Sequence, residues 1–129
     1  MGLEEAIARG KACREAGADV IFIEAPQTID EIKHVADSID APLLINMVIK
    51  GGKTPHVPTD ELERMGYDII IFASDVQRAA IFGMRRLLQE LCKTRTGEFF
   101  AETVGFQERE GIINADYYFQ LQERYLRLE

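Results

Sequence analysis

Cationic side chains are scarce in this chain: 15 Lys and Arg stand against 22 Asp and Glu, leaving a formal charge of −7. A surface of that sign repels phosphate backbones and anionic headgroups, which argues against nucleic acid or a membrane surface as the main partner. No apolar run reaches 18 residues, so a membrane-spanning helix is not expected. The start, Met1-Gly2-Leu3-Glu4-Glu5, is acidic where a signal peptide is basic, and Ala6 occupies the position where a myristoylation signal needs Ser or Thr. Cysteine is nearly absent. Cys13 and Cys92 lie far apart in helical patterns, which predicts reduced core residues of a cytoplasmic protein rather than a disulfide or a metal pair. Low-complexity segments and long linkers are missing too. A chain of 129 residues, 47% hydrophobic and 29% charged, is then expected to fold as one soluble globular domain.

What is present is organised around Ala18-Asp19-Val20-Ile21-Phe22-Ile23-Glu24-Ala25-Pro26. A short apolar run bounded by turn signals predicts a strand buried on both faces, as in a parallel sheet. Before it, residues 3–16 carry Leu3, Ala6, Ile7, Gly10, Cys13 and Ala16 at helical spacing, and Gly17 can cap that helix in the left-handed conformation. After it, Thr28-Ile29-Asp30-Glu31 has the form of a capping box. It opens a helix whose buried face is expected to be Ile29, Ile32, Val35, Ala36 and Ile39. A second strand, 42–47, starts at Pro42, where a missing N–H is tolerable. A loop with Gly51-Gly52 and Pro55 leads to a short helix with Leu62 and Met65, ended by Gly66. The third strand is 67–73. Ser74-Asp75-Val76-Gln77 then forms another capping box and opens a helix to about residue 93, striped by Val76, Ala80, Met84, Leu87, Leu88 and Leu91. Beyond it come an aromatic segment with Phe99, Phe100, Val104 and Phe106, and a last helix over about 115–128.

Strands at 18–24, 42–47 and 67–73 start 24 and 25 residues apart, a βα repeat. Right-handed crossovers make that an α/β fold with a parallel sheet. The expected organisation is a three-strand βα portion over 1–97 and a C-terminal helical segment over 98–129 that forms an interface or is exchanged between subunits.

The strands end in Glu24, Asn46 and Ser74. Parallel strands put these ends on one rim, where a carboxylate, an amide and a hydroxyl could hold an oxygen-rich ligand. Each also has a plain structural reading: Glu24 could pair with a lysine, Asn46 could brace the loop behind it, and Ser74 could simply cap a helix. Asp75 is most simply a first-turn carboxylate favoured by the helix dipole. Gly51-Gly52-Lys53-Thr54 resembles the end of a phosphate-binding loop, but Met47 stands where that pattern needs a glycine, and Pro55 and Pro58 delay the following helix. The glycines better serve close backbone approach or loop movement. His34 and His56 have no ligand-type neighbours at metal spacing and read as solvated.

Taken together, Glu-Ala-Pro at 24–26, Pro-Leu-Leu-Ile-Asn-Met at 42–47, Gly-Gly-Lys-Thr-Pro at 51–55, Glu-Leu at 61–62 and Gly-Tyr at 66–67 resemble the isocitrate lyase and phosphoenolpyruvate mutase superfamily. The tail from Asn114 to Tyr118 is similar as well. The nearest likeness is to the branch holding 2-methylisocitrate lyase, dimethylmalate lyase, oxaloacetate decarboxylase and carboxyphosphonoenolpyruvate mutase. The resemblance implies part of a (β/α)8 barrel, a magnesium cofactor, and chemistry on small α-keto or 2-hydroxy acids through an enolate. It implies that Glu24 is the active-site glutamate near the metal, that Asn46 binds a substrate carboxylate, and that Thr54 and Pro55 border the substrate. Ser74, at the third strand's exit, is the remaining substrate-binding candidate.

Two departures stand out. Ile49-Lys50, with one extra residue, replaces a glutamate that usually precedes the paired glycines, and Ala73 replaces a proline. The family's magnesium-binding aspartates and catalytic-cysteine loop come from earlier strands that have no counterpart here, so no direct metal ligand is assigned. A (β/α)8 barrel needs roughly 200 residues or more. The expectation is therefore the C-terminal portion of a carbon–carbon lyase or mutase, inactive alone and assembling as a homo-oligomer. The alternative is a non-catalytic half-barrel module that self-assembles or binds a partner.

Overall fold

A computed structural model describes residues 2–98 and 103–126. The elements run α1 (Leu3–Glu15), β1 (Ile21–Phe22), α2 (Ile29–Ser38), β2 (Leu43–Asn46), α3 (Thr59–Met65), β3 (Ile69–Ile71), α4 (Asp75–Thr94), α5 (Phe106–Ile112) and α6 (Ala115–Leu126). The fold is α/β, with one parallel sheet in the order β1-β2-β3. Phe22 pairs with Leu44, and Leu44 with Ile69.

Local chemistry sets most boundaries. Gly17 and Gly66 follow α1 and α3 at φ of 105° and 102°, the left-handed region that glycine enters without steric cost. Thr28 caps α2 by accepting the Glu31 N–H at 3.0 Å, while the Glu31 carboxylate accepts the Gln27 N–H. Ser74 precedes α4 and its carbonyl accepts the Arg78 N–H at 2.9 Å. The strands are shorter than their apolar runs, because only the central residues of each run find ladder partners.

The chain divides into two compact units, Met1–Phe82 and Gly83–Glu129, with the division inside α4. In the first unit, Ile21, Leu43, Ile45 and Met47 turn one face of the sheet toward Ile7, Ile32, Val35, Ile39 and Leu62 from the helices. β2 is anchored at both ends. Asp68 donates its N–H to the Leu43 carbonyl and accepts the Leu43 N–H on Oδ2, while Met47 N–H reaches the Ile71 carbonyl at 2.8 Å. The buried Tyr67 hydroxyl donates to the Ile32 carbonyl at 3.0 Å, tying α2 to the turn before β3.

Among the described residues the opposite face of the sheet is bare. Val20, Phe22 and Ile69 are each about 40% exposed, so β1 is buried on one face and not on both as its sequence suggests. A run of apolar residues cannot distinguish a strand whose second layer is present from one whose second layer is not. Two further expectations are corrected. Cys13 and Cys92 are exposed and free rather than core residues, since no described residue covers either side chain. Ile29 is half exposed, being in the first turn of α2, where it overhangs the core that Ile32 and Val35 reach.

In the second unit α5 packs on α6, Ala115 is buried, and Tyr117 and Tyr118 meet edge to face with centroids 5.3 Å apart. The α5 helix is not among the expected elements: the aromatic segment expected from the sequence ends at Phe106, where α5 begins. Phe99, Phe100 and the last residues of the expected 115–128 helix lie outside the described residues.

Burial pushes the Tyr67 phenol up from 10.0 to about 12. A raised acid pKa in the folded state means stability that is complete below pH 10 and is lost as pH rises through about 12. Urea unfolding should therefore show the wild type losing stability across that window, while Tyr67→Phe lacks this loss. At pH 8 the same variant should be less stable by about 1 kcal/mol, the worth of one buried hydrogen bond.

Candidate functional site

Side chains alternate across a strand, so the parity that buries Leu43, Ile45 and Met47 puts Leu44 and Asn46 on the bare face. Glu24 follows Phe22 by two residues, as Asn46 follows Leu44, and Phe22 and Leu44 are paired. Glu24 and Asn46 thus reach the carboxyl end of the sheet at one level. They line a cavity of about 250 Å³ together with Ala25, Val48, Gly52, Lys53 and Thr54. Glu24, Ala25 and Lys53 also border an adjoining cavity of about 480 Å³ that reaches Leu3, Pro26 and Glu31.

Of the five residues singled out in the sequence, Glu24, Asn46 and Thr54 share one cavity. Pro55 follows Thr54 and is half-buried but does not line it. Ser74 is half-buried at the start of α4, also off the cavity. Lys53 is the residue that sequence reasoning passed over. It was read only as part of a failed phosphate loop, yet it brings a cation beside Glu24, and its position behind two glycines was the available signal.

Two features mark this rim. Asn46 Oδ1 is sealed from solvent without a hydrogen-bond partner, the one such buried side-chain atom among the described residues. An unpaired buried acceptor costs about 1–3 kcal/mol, so its partner must be brought to it. Ala25, directly after Glu24, has φ of 56°, a left-handed conformation that costs a residue with a Cβ about 1–2 kcal/mol. The buried Pro26 behind it holds the chain to that course.

The described residues include no group of three or more His, Cys, Asp or Glu able to hold a metal ion. Glu24 is the single carboxylate lining the 250 Å³ cavity, with Lys53 beside it. The described residues thus offer one wall of a polar site, without a metal cage among them. A larger cavity of about 460 Å³, lined by Thr59, Asp60, Glu63 and Tyr67, lies at the opposite end of the strands from these residues.

Comparison with known proteins gives the same outline. Residues 1–92 match the family model described as phosphoenolpyruvate phosphomutase. The chain is 35% identical to the chloroplastic carboxyvinyl-carboxyphosphonate phosphorylmutase of Arabidopsis thaliana, over 98% of its own length and 38% of that protein's. The crystal structure of 2,3-dimethylmalate lyase, described as a PEP mutase/isocitrate lyase superfamily member, superposes with a TM-score of 0.80 at 30% identity. That match covers 96% of this chain and 42% of the other. A phosphonopyruvate hydrolase complex with oxalate and Mg++ superposes with a TM-score of 0.75 at 27% identity, covering 97% of this chain and 44% of that one. The chain thus spans about two fifths of the length of these relatives.

If the Ala25 conformation stores strain, Ala25→Gly should raise stability by about 1 kcal/mol in urea unfolding, because glycine enters φ > 0 freely. A loss of stability on that substitution would show that the Ala25 conformation carries none.

Proposed function

The chain belongs to the phosphoenolpyruvate phosphomutase family, within the PEP mutase/isocitrate lyase superfamily, and from that premise we propose that it is the C-terminal portion of a carbon–carbon lyase or mutase acting on a small α-keto or 2-hydroxy acid. The observation that carries the proposal is the gathering of Glu24, Asn46 and Thr54 around one cavity at the carboxyl rim of the sheet. A retro-aldol cleavage takes the proton from a substrate hydroxyl, breaks the adjoining carbon–carbon bond and leaves the electron pair on an enolate. Such a reaction needs donors where negative charge gathers and a polar group at the hydroxyl. The Asn46 amide and the Lys53 ammonium supply donors for a substrate carboxylate, Glu24 holds the hydroxyl side, and Thr54 and Pro55 border the substrate. Ser74 is assigned to the outer margin of the same rim.

Magnesium enters through the relatives, one of which is a complex with Mg++. The ion would lend charge to the enolate with Glu24 near it, and the described residues assign it no direct ligand set. We propose accordingly that the chain is inactive alone, and that the bare sheet face and the free edges of β1 and β3 are covered by assembly, between copies or with a polypeptide carrying the preceding strands. The exposed row of Val20, Phe22 and Ile69 favours a second reading, a half-barrel module that assembles without catalysis.

A complementation assay separates the two readings. The chain alone should not cleave 2,3-dimethylmalate or 2-methylisocitrate. Mixed with a polypeptide supplying the preceding strands of the barrel, it should do so, with activity lost on chelation and lowered about 100-fold by Glu24→Gln, the scale seen when one charge-stabilising group is removed. Assembly without any turnover, unaltered by Glu24→Gln or Asn46→Ala, would establish the module reading instead. Light scattering of the dilute chain should in either case show an oligomer, and a stable folded monomer would refute the assembly step.

A further inference from the structure

The cavity has a movable wall and a fixed one. Glu24 and Asn46 hang from the sheet, but Lys53 and Thr54 arrive on the loop that leaves β2, so that loop must be held in place. Its far end is rooted in the core by the buried Val57, but its tip is not held by its own side chains: Ile49 is 64% exposed, and Lys50 and Gly51 are exposed too. Its backbone is gripped from the first turn of α4. Asp75 Oδ2 accepts the Ile49 N–H at 3.1 Å, and Asp75 Oδ1 accepts from Arg78 Nη1 at 3.3 Å. Arg78 Nη2 closes the circuit by donating to the Lys50 carbonyl at 2.6 Å. Asp75 is the one buried charged residue among those described, so its carboxylate is paid for by these contacts and not by water.

We propose that Asp75 and Arg78 are positioning residues, a latch that sets the 48–54 loop and through it Lys53 and Thr54 against Glu24 and Asn46. At Ile49-Lys50 these are the side-chain hydrogen bonds that hold the loop among the described residues. An N–H and a carbonyl of successive residues are fixed by two side chains one helical turn apart, which defines the chain direction at that point. From there the path is narrow. Gly51 turns at φ of 83°, and a Cβ on Gly52 would stand 2.9 Å from the Val48 Cβ, so Gly52 folds directly against the strand exit. Lys53 follows at once. That the latch shapes a ligand site rests on the reading of the rim given above; that it holds the loop does not.

Amide hydrogen exchange on the isotope-labelled chain tests the two statements separately. Arg78→Ala and Asp75→Ala should each speed exchange at Ile49, whose N–H is held by Asp75, by about tenfold or more, since each removes a hydrogen bond to a charged group. Met47, whose N–H lies in the sheet, serves as the folding reference and should be unchanged in Arg78→Ala, which guards against an Asp75 variant that fails to fold. Arg78→Lys keeps one donor for the Lys50 carbonyl but cannot also bind Asp75 in the same geometry, so it should restore protection in part. Unchanged exchange at Ile49 in Arg78→Ala, with Met47 protected, would overturn the latch. If the latch holds but Arg78→Ala leaves activity in the complementation assay at the wild-type level, the loop is positioned and the inference that its position matters to the rim is wrong.

Discussion

A parallel sheet three strands wide, covered by helices on one face only, is the constraint on which the rest of this molecule depends. Burial on that face selects Ile21, Leu43, Ile45 and Met47 by strict alternation. Because the period is two, the same choice sends Phe22 and Leu44 to the uncovered face, and Glu24 and Asn46 beyond them. The site residues are therefore aimed by the core. A slip of one residue in the β1–β2 register would exchange core and rim at once, placing a carboxylate under the helices and an isoleucine in the cavity. The Ile21 N–H, donated to the Pro42 carbonyl at 2.9 Å, opposes such a slip, and the Leu43–Asp68 and Tyr67–Ile32 bonds fix β2 and α2 against the start of β3.

What could be read from the sequence was what short-range chemistry decides. Gly17 and Gly66 end helices because glycine alone enters the left-handed region at no steric cost, and Thr28 with Glu31 starts one because both partners lie within a single turn. The strand order followed from spacing, and the residues at the strand exits from parity. The rest depends on partners that a local pattern does not contain. Whether Val20 and Phe22 are covered depends on a second layer, and whether Cys13 is core depends on a neighbour beyond the β1 edge. Asp75 illustrates the limit best. As a first-turn carboxylate it has an adequate local explanation, and nothing in its neighbourhood announces the Ile49 N–H from 26 positions earlier. Lys53 was hidden differently, by a motif that drew attention to the wrong chemistry.

The distribution of satisfied and unsatisfied groups across the first unit follows one direction. At the amino ends of the strands, Asp68 and Tyr67 have their partners, and Gly66 closes α3 by donating its N–H to the Glu63 carbonyl. At the carboxyl rim the groups are left wanting: Asn46 Oδ1 has no partner, and Ala25 takes a conformation that other residues avoid. Between these stands a loop that depends on α4 for its shape. Costs of a few kcal/mol collected at one rim can persist only because the other end of the sheet over-determines the fold. An incomplete core would scatter such defects over the bare face. Here they converge on the cavity that Glu24 shares with Lys53, and this convergence, rather than the exposed apolar surface, gives the rim its functional reading.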